Sequence, residues 1–383
     1  MNQSLSPALR DVLIGLARFD KSRDTEVRSA LHGLEPADWG RLFELAGTHR
    51  VLANLSRIVA DMADAPAPSK YLARLLLMML KQHAAMRRWE SQTTVAALRA
   101  EGINPVVLKG YVLGTECYPE FYLRETVDLD LLIERDLLDR AGAALESQGF
   151  TRSQFVPATG ELESLSDARI EGYRNELQHL GEFTRLSETG AALTIDLHFR
   201  LSTVFDHQEP DTQLFLVNTV DYPDGGYRKL MPELFVAHLA YHAWWDTQAL
   251  TNVRKGFDLR LFQYSDILLA FQTWGLKCEP VLEWARRANV FEATNWALWM
   301  TSELFGGLEG DGALDRELAS QVDSRFTDRW LQRGTDTPIG QWDRPGPSRI
   351  FDMHRGAQAT AMIVEWLDRH TKRGDVLTWV ERN

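Results

Sequence analysis

The spacing of apolar residues divides the chain into a helical stretch, a mixed stretch and a second helical stretch. From Ser6 to about Arg99, apolar residues recur at intervals of three and four positions, which is the period of an amphipathic helix. From there to about Tyr227, short apolar runs alternate with helical segments, and after Pro232 the helical period returns. We therefore predict an N-terminal helical region over residues 1–100, a core over 101–230 and a C-terminal helical region over 231–383.

The mixed stretch contains the elements of a β-sheet with helices. Its last two predicted strands flank Ser187-Glu-Thr-Gly190, a turn-rich spacer of hairpin length. The residues at 157–175 are polar and poorly patterned, which predicts a surface loop or a short helix. The apolar runs predict strands over 105–108, 127–133, 180–186 and 191–199, and helices over 111–117 and 136–148. An α+β fold class follows from this order of elements.

Composition disfavours several classes of protein. The formal net charge is -12, whereas proteins that coat nucleic acid cluster Lys and Arg. Cys117 and Cys278 are the only cysteines and lie far apart, so neither a disulfide framework nor a structural zinc site is expected. The N-terminus lacks the pattern of a secretory signal, and the most apolar run, Tyr71 to Leu80, is too short to cross a bilayer. A soluble cytoplasmic protein is expected.

Two aspartates interrupt an apolar strand in the middle of the chain. Asp128 and Asp130 stand two residues apart, so their side chains point from the same face, because side chains alternate along a strand. The residues between and after them, Leu129 and Leu131, lie on the opposite face and can be buried. Asp196 lies in a second apolar strand, where alternation places it on one face with His198.

Three carboxylates in apolar strands point to a bound divalent cation. An ionised carboxylate in such a setting is costly unless it meets a cation or several donors. Mg²⁺ is the expected partner, with Mn²⁺ as the second choice, because Mg²⁺ takes carboxylate and water oxygens and is usually shared with substrate phosphates. With two ions, Asp128, Asp130 and Asp196 can activate an attacking oxygen and stabilise a leaving one.

A phosphate-binding site is predicted beside the aspartates. Lys109-Gly110 lies where the first core strand ends and a helix begins. Gly110 lets the backbone approach a ligand closely, and the free amides at the start of that helix attract phosphate. Lys109 adds a positive charge, and Arg124 can clamp a phosphate with two hydrogen bonds.

Plainer structural roles compete with these assignments. Asp128 and Asp130 could be capped by amides or paired with arginine, and Lys109 could be a solvated lysine at the end of a strand. Arg124 could bind no phosphate and simply pair with Glu120 or Glu125. His198 could contact substrate or could be a hydrogen-bonded histidine of the sheet. No role is assigned to three further histidines, His179, His238 and His242.

The order and spacing of the motifs resemble those of a known enzyme family. The run Leu108-Lys-Gly110, then Tyr118-Pro119, Leu123-Arg124 and Asp128-Leu-Asp130-Leu-Leu132, resembles the uncharacterised branch of the DNA polymerase β-like nucleotidyltransferase superfamily. The downstream segments Ile195–Arg200 and His238–His242 are also similar to segments of that branch. The resemblance covers roughly residues 100–275.

The resemblance implies a polymerase-β-like core, a small mixed sheet with flanking helices, between the two helical regions. It also implies that Asp128 and Asp130 bind metal and triphosphate, and that Asp196 is the third carboxylate, acting as metal ligand and as general base. One departure concerns the phosphate site. Most of the superfamily carries Gly-Ser after the first strand, whereas this chain has Lys109-Gly110, so its triphosphate contacts must differ.

The resulting hypothesis is a Mg²⁺-dependent nucleotidyltransferase. Such an enzyme moves a nucleoside monophosphate from a nucleoside triphosphate to a hydroxyl and releases pyrophosphate. The acidic chain favours a small molecule or a protein as acceptor over an extended nucleic acid, and no membrane partner is expected. One alternative is a phosphotransferase (kinase) that uses ATP and Mg²⁺, although the glycine-rich loop of such enzymes is missing. Another is a non-catalytic nucleotide-binding or scaffold protein.

Overall fold

The computed structural model describes residues 5–176, 179–203, 209–222, 226–308, 322, 329–331, 338–344, 346–352 and 354–370. The chain folds as two compact units, which we call the helical unit and the sheet unit. The helical unit comprises Met1–Met78, Val236–Arg286 and Val290–Asn383, and the sheet unit comprises Met79–Phe235 and Arg287–Asn289. The division into three regions along the chain stays a prediction.

Helices dominate the helical unit, as the apolar periodicity predicts. The first of them, α1 (Pro7–Ala17), buries Leu9, Val12, Leu13 and Leu16 on one face. Ser6 caps its start, because the hydroxyl accepts a hydrogen bond from the backbone N–H of Leu9 at 3.3 Å. The other helices described wholly or mostly in this unit are α2 (Asp24–His32), α3 (Asp38–Thr48), α4 (Leu52–Ala60), α10 (Pro232–Gln248), α11 (Leu250–Lys255), α12 (Leu261–Trp274), α13 (Cys278–Arg287), α14 (Phe291–Phe305), α15 (Gly346–Arg349) and α16 (Arg355–His370).

The sheet unit is built on one mixed sheet. Among the described residues its strands are β1 (Val106–Val107), β2 (Asp128–Leu132), β3 (Thr151–Val156), β4 (Glu161–Ser164), β5 (His179–Leu186), β6 (Ala192–His198), β7 (Thr219–Tyr222) and β8 (Tyr227–Leu230). Their order across the sheet is β4-β3-β5-β6-β2-β1-β8-β7. Strand β2 pairs parallel with β6 and antiparallel with β1. The predicted α+β class with a mixed sheet is confirmed.

Between the strands of the sheet unit, the described residues form four helices. They are α6 (Lys109–Glu116), α7 (Leu138–Ser147), α8 (Asp167–Glu176) and α9 (Thr212–Val217). A long helix, α5 (Ala67–Ala100), contributes residues to both units. The helical unit also contains a short antiparallel pair of strands, β9 (Arg329–Leu331) and β10 (Pro338–Gln341).

The predicted hairpin is confirmed. Strands β5 and β6 pair antiparallel with Leu186 opposite Ala192, and Gly190 in the turn has φ 78°. A positive φ of this kind favours glycine, which carries no Cβ. The stretch at 157–175, predicted to be a loop or a short helix, holds strand β4 and most of helix α8, so the strand was missed. In the part of the chain that the structure describes, no helix has the length and apolarity needed to span a bilayer.

Candidate active site

The two strands that carry the aspartates lie side by side. In the parallel pairing of β2 with β6, Asp130 stands opposite Asp196 and Leu131 stands opposite Leu197. Because side chains alternate, the leucines point away from the aspartates and are fully buried. The sheet therefore brings Asp130 and Asp196 to one face, although they are far apart in sequence.

Asp130, Asp196 and His198 form a compact group of polar side chains. One oxygen from each carboxylate and one ring nitrogen of His198 all lie within 4.8 Å of one another. Asp130 is 4% exposed and His198 is 5% exposed. Such a set of two carboxylates and one imidazole matches the ligands of a divalent cation. Among the described residues this is the group with metal-binding spacing, and Asp128 is outside it.

Asp130 is stabilised by two donors at one oxygen. Its Oδ1 accepts hydrogen bonds from Lys109 Nζ at 2.7 Å and from His198 Nε2 at 2.9 Å. Burial on its own raises the pKa of the Asp130 carboxyl, but the charges and hydrogen bonds of Lys109 and His198 hold this pKa well below its usual range. Since an ionised carboxylate only accepts hydrogen bonds, His198 Nε2 is the donor in this contact.

Asp196 lacks the donors that Asp130 has. Its Oδ1 is buried without a hydrogen-bond partner, and His179 Nδ1 is 3.9 Å away. Burial, together with the nearby charges of Asp128 and Asp130, raises the pKa of the Asp196 carboxyl well above its usual range. A buried carboxylate oxygen without a donor is destabilising unless a cation occupies the position next to it. The residues present therefore fit a divalent cation at this group.

Lys109 is held against Asp130 by an unusual backbone. It is the first residue of α6 and has φ 48°, a left-handed conformation that lysine rarely adopts. Its side chain is 16% exposed, so it is not the solvated lysine of the structural alternative. Burial lowers the pKa of Lys109, but the negative charges of Asp130 and Asp128 raise it above its ordinary value. The strained backbone keeps an ammonium group among the carboxylates.

Arg124 lies beside Gly110, and these are the two other residues predicted to bind phosphate. A Cβ at Gly110 would lie 2.6 Å from Thr126 Cγ2 and 3.6 Å from Arg124 Cζ. Arg124 is 7% exposed and donates from Nη1 to the carbonyl of Glu125 at 2.7 Å. The glycine is thus required by packing within the chain, whichever ligand approaches it. The phosphate-binding roles of Lys109, Gly110 and Arg124 stay predictions.

Asp128 lies at the edge of the group. It is the first residue of β2, opposite Thr194, and is half-buried. It lines a small cleft together with Arg87 and Thr194. Its charge raises the pKa values of Asp196 and Lys109, so it acts on the site electrostatically. Its roles in metal binding and catalysis stay predictions.

Two residues around the aspartates were given no role from the sequence: His179 was noted without a role, and Arg87 was not identified. His179 stands opposite His198 across β5 and β6, with ring centroids 5.5 Å apart. Burial, assisted by the charges of His198 and Lys109, lowers the pKa of His179 to about 3. Arg87 of α5 donates to the carbonyls of Val127 and Ala192, at the starts of β2 and β6. The sequence signal for Arg87 is absent, because its partners are distant along the chain.

A family model was found in comparisons with known proteins. The model of the uncharacterised nucleotidyltransferase family matches residues 35–306. Neither a curated protein nor a solved structure matches the chain. The matched segment contains β2, β6 and every residue of the group described above, and it spans more than half of the chain. The protein therefore belongs to the uncharacterised nucleotidyltransferase family, whose members are transferases of nucleotidyl groups.

Proposed function

We propose that the protein transfers a nucleoside monophosphate from a nucleoside triphosphate to the hydroxyl of a small molecule or a protein. The observation that carries the proposal is the buried Asp196 Oδ1, which has no hydrogen-bond partner and belongs to a group whose ligand atoms lie within 4.8 Å of one another. A cation at that group accounts for both its spacing and its unsatisfied oxygen. The net charge of -12 favours such an acceptor over an extended nucleic acid.

The metal in this proposal is Mg²⁺, with Mn²⁺ as the alternative. Asp130 and Asp196 would hold it, with Asp128 as the third carboxylate and His198 beside them. When bound, such a cation neutralises charge on the transferred phosphoryl group and favours ionisation of the attacking hydroxyl.

Asp196 is proposed to accept the proton of the acceptor hydroxyl. A carboxylate has two oxygens, so one oxygen of Asp196 can face the cation while the other accepts the proton. The pairing of β2 with β6 places this carboxylate opposite Asp130. His198 positions the neighbouring carboxylate, since its Nε2–H donates to Asp130 at 2.9 Å.

Lys109 is proposed to bind the triphosphate while it keeps its hydrogen bond to Asp130. An ammonium group has three donors, and the described contact with Asp130 at 2.7 Å uses one of them. The other two can reach phosphate oxygens. Arg124 and the amides at the start of α6 complete the proposed phosphate site.

Transfer of the α-phosphate is the test of this proposal. The protein is incubated with Mg²⁺, a small-molecule extract from cells, and ATP labelled at either the α or the γ position. The proposal predicts a product labelled from the α position together with release of pyrophosphate, and both signals should disappear in Asp196→Asn and Asp130→Asn. Asp221→Asn is the matched control, because Asp221 is an exposed residue of β7. A product labelled from γ alone would instead establish a kinase.

Calorimetry separates a protein that binds nucleotide at the proposed metal site from a scaffold that does not. Binding of ATP in the presence of Mg²⁺ is measured for the unaltered protein, Asp128→Asn and Asp130→Asn. The proposal predicts that both substitutions weaken binding, because both remove negative charge from the proposed metal site. Unchanged heats in both variants would contradict the proposed metal site and favour a scaffold.

A further inference from the structure

A second cleft of the sheet unit lies outside the group of aspartates. It has a volume of about 340 Å³, which is within the usual size of small-molecule sites. One wall is α5, with Lys81, Arg88, Trp89 and Gln92, and the other wall includes Phe121 and Tyr122. None of the three aspartates lines this cleft, which we call the aromatic cleft.

The walls of the aromatic cleft combine aromatic rings with positive charges. Lys81 Nζ lies 4.9 Å from the centroid of the Tyr122 ring, and Arg88 Cζ lies 5.6 Å from that of the Phe121 ring. Trp89 is 60% exposed, which is unusual for so large an apolar side chain. Ala84 and Ala85 also line the cleft, and their small side chains leave room above the rings.

The two cations of the aromatic cleft have no carboxylate partner in the described part of the chain. Neither Lys81 nor Arg88 belongs to an ion pair there. Glu120 is the acidic residue of the lining, so the lining carries a net positive charge. In a chain of net charge -12, a local excess of cations beside one exposed ring and two half-buried rings favours a ligand that is both aromatic and anionic.

The aromatic cleft adjoins the stretch predicted to bind phosphate. Phe121 begins the short turn Phe121–Leu123, and Arg124 follows directly. The Phe121 ring also packs edge-on against Tyr111, the residue after Gly110, with centroids 5.8 Å apart. The Arg124 guanidinium lies 3.6 Å from the position of a Cβ at Gly110. A ligand in the aromatic cleft therefore lies next to the residues proposed to hold the triphosphate.

We infer that the aromatic cleft binds the acceptor, and that the acceptor is a planar aromatic compound that carries a negative charge and a hydroxyl. The ring would stack on Trp89 between the two walls, and the negative group would face Lys81 and Arg88. The role of this ligand as the acceptor rests on the proposed nucleotidyl transfer. The binding of an aromatic anion in the cleft is independent of that reaction, because it follows from the lining of the cleft alone.

Binding of a small probe tests the inference without any need for catalysis. The probe is 4-hydroxyphenylacetate, and its saturable binding to the full-length protein is measured by calorimetry and by ligand-observed NMR. A dissociation constant on the order of 1–5 mM is expected for a probe of this size. Two matched compounds, uncharged 4-hydroxyphenylacetamide and non-aromatic 4-hydroxycyclohexylacetate, should each bind at least about fivefold more weakly, because each lacks one of the two features that the cleft recognises.

Substitutions then locate the binding site. Arg88→Gln and Trp89→Ala should each weaken binding of the probe at least about fivefold. Both residues are exposed, so the fold should tolerate either substitution. Arg286→Gln is the matched control, since Arg286 is also an exposed arginine over a phenylalanine ring, that of Phe291 at 4.2 Å. Asp130→Asn should still bind the probe, which keeps this test separate from that of the metal site.

Three results would overturn the inference. One is the absence of saturable probe binding at concentrations about tenfold above the expected dissociation constant. Another is equal binding of the amide and the carboxylate. The third is unchanged affinity in both Arg88→Gln and Trp89→Ala. If the probe binds as expected while no α-labelled product forms, the cleft is a ligand site and the proposed transfer reaction fails.

Discussion

Asp196→Asn is predicted to stabilise the metal-free protein. Without a cation, Asp196 destabilises the folded protein, because its Oδ1 is buried without a donor and Asp130 and Asp128 repel its charge. An amide of the same shape removes that charge. Most substitutions of buried residues have the opposite effect and destabilise the protein, so the sign of the change is informative.

In Asp196→Asn, the amide nitrogen can take the place of the buried Oδ1 and donate a hydrogen bond to a neighbouring carboxylate. A buried polar atom without a hydrogen-bond partner costs about 1–3 kcal/mol, which sets the expected size of the effect. For a unit of 150–250 residues, each kcal/mol shifts the melting temperature by roughly 2–4 °C, so a rise on the order of 5 °C is expected. The assay is thermal unfolding followed by circular dichroism in the presence of EDTA near neutral pH. Asp221→Asn, at an exposed position of the same sheet, should leave the melting temperature unchanged.

Added metal should reverse the order of stability. At a Mn²⁺ or Mg²⁺ concentration about 1,000 times the dissociation constant, binding stabilises the unaltered protein by about 4.1 kcal/mol, which exceeds the advantage of Asp196→Asn in EDTA. Asp196→Asn should lose most of this gain, because it lacks one of the carboxylate ligands. The reasoning is refuted if Asp196→Asn melts below the unaltered protein in EDTA and responds fully to the metal.

Three further predictions concern stability. Lys109→Met should lower the free energy of unfolding by about 3 kcal/mol, because it leaves Asp130 without its cation, and urea unfolding should show partial recovery in the double variant Lys109→Met/Asp130→Asn. Gly110→Ala should cost about 1–3 kcal/mol, since its Cβ would lie 2.6 Å from Thr126 Cγ2, and Thr126→Ser should restore stability if that contact is the cause. Burial of His49 lowers its pKa to about 3, so the unfolded chain binds one more proton than the folded chain between pH 6.5 and 3. The free energy of unfolding therefore falls with decreasing pH by up to about 1.4 kcal/mol per pH unit. Urea titrations at several pH values should show a weaker pH dependence of this free energy for His49→Gln, and an equal pH dependence would contradict the lowered pKa.

The strands that carry the aspartates could be predicted from local pattern. Alternation correctly placed Asp128 and Asp130 in one strand and predicted the hairpin that brings β5 against β6. These predictions succeed because strand period and turn chemistry are local properties of the chain. The strands β3, β4, β7 and β8 were not predicted, because polar residues, buried or half-buried in β8 and mostly so in β3, interrupt the apolar pattern.

Contacts within the candidate site were harder to predict. The sequence assigns Lys109 to phosphate, and it gives no sign that the lysine pairs with Asp130, 21 residues away, or that His198 joins the same oxygen from 68 residues away. These contacts depend on how β2 pairs with β1 on one side and with β6 on the other, which is set by tertiary packing. The left-handed φ of Lys109 is likewise a property of the folded junction and not of the residue type.

A crystal structure with Mn²⁺ and a non-hydrolysable nucleoside triphosphate tests the central claim most directly. Anomalous scattering identifies the metal, and the density shows what Asp130 and Asp196 bind. The account predicts a Mn²⁺ peak within bonding distance of both carboxylates and of a phosphate oxygen, with Lys109 against the triphosphate. A bound nucleotide elsewhere on the protein, with no metal peak between Asp130 and Asp196, would contradict it.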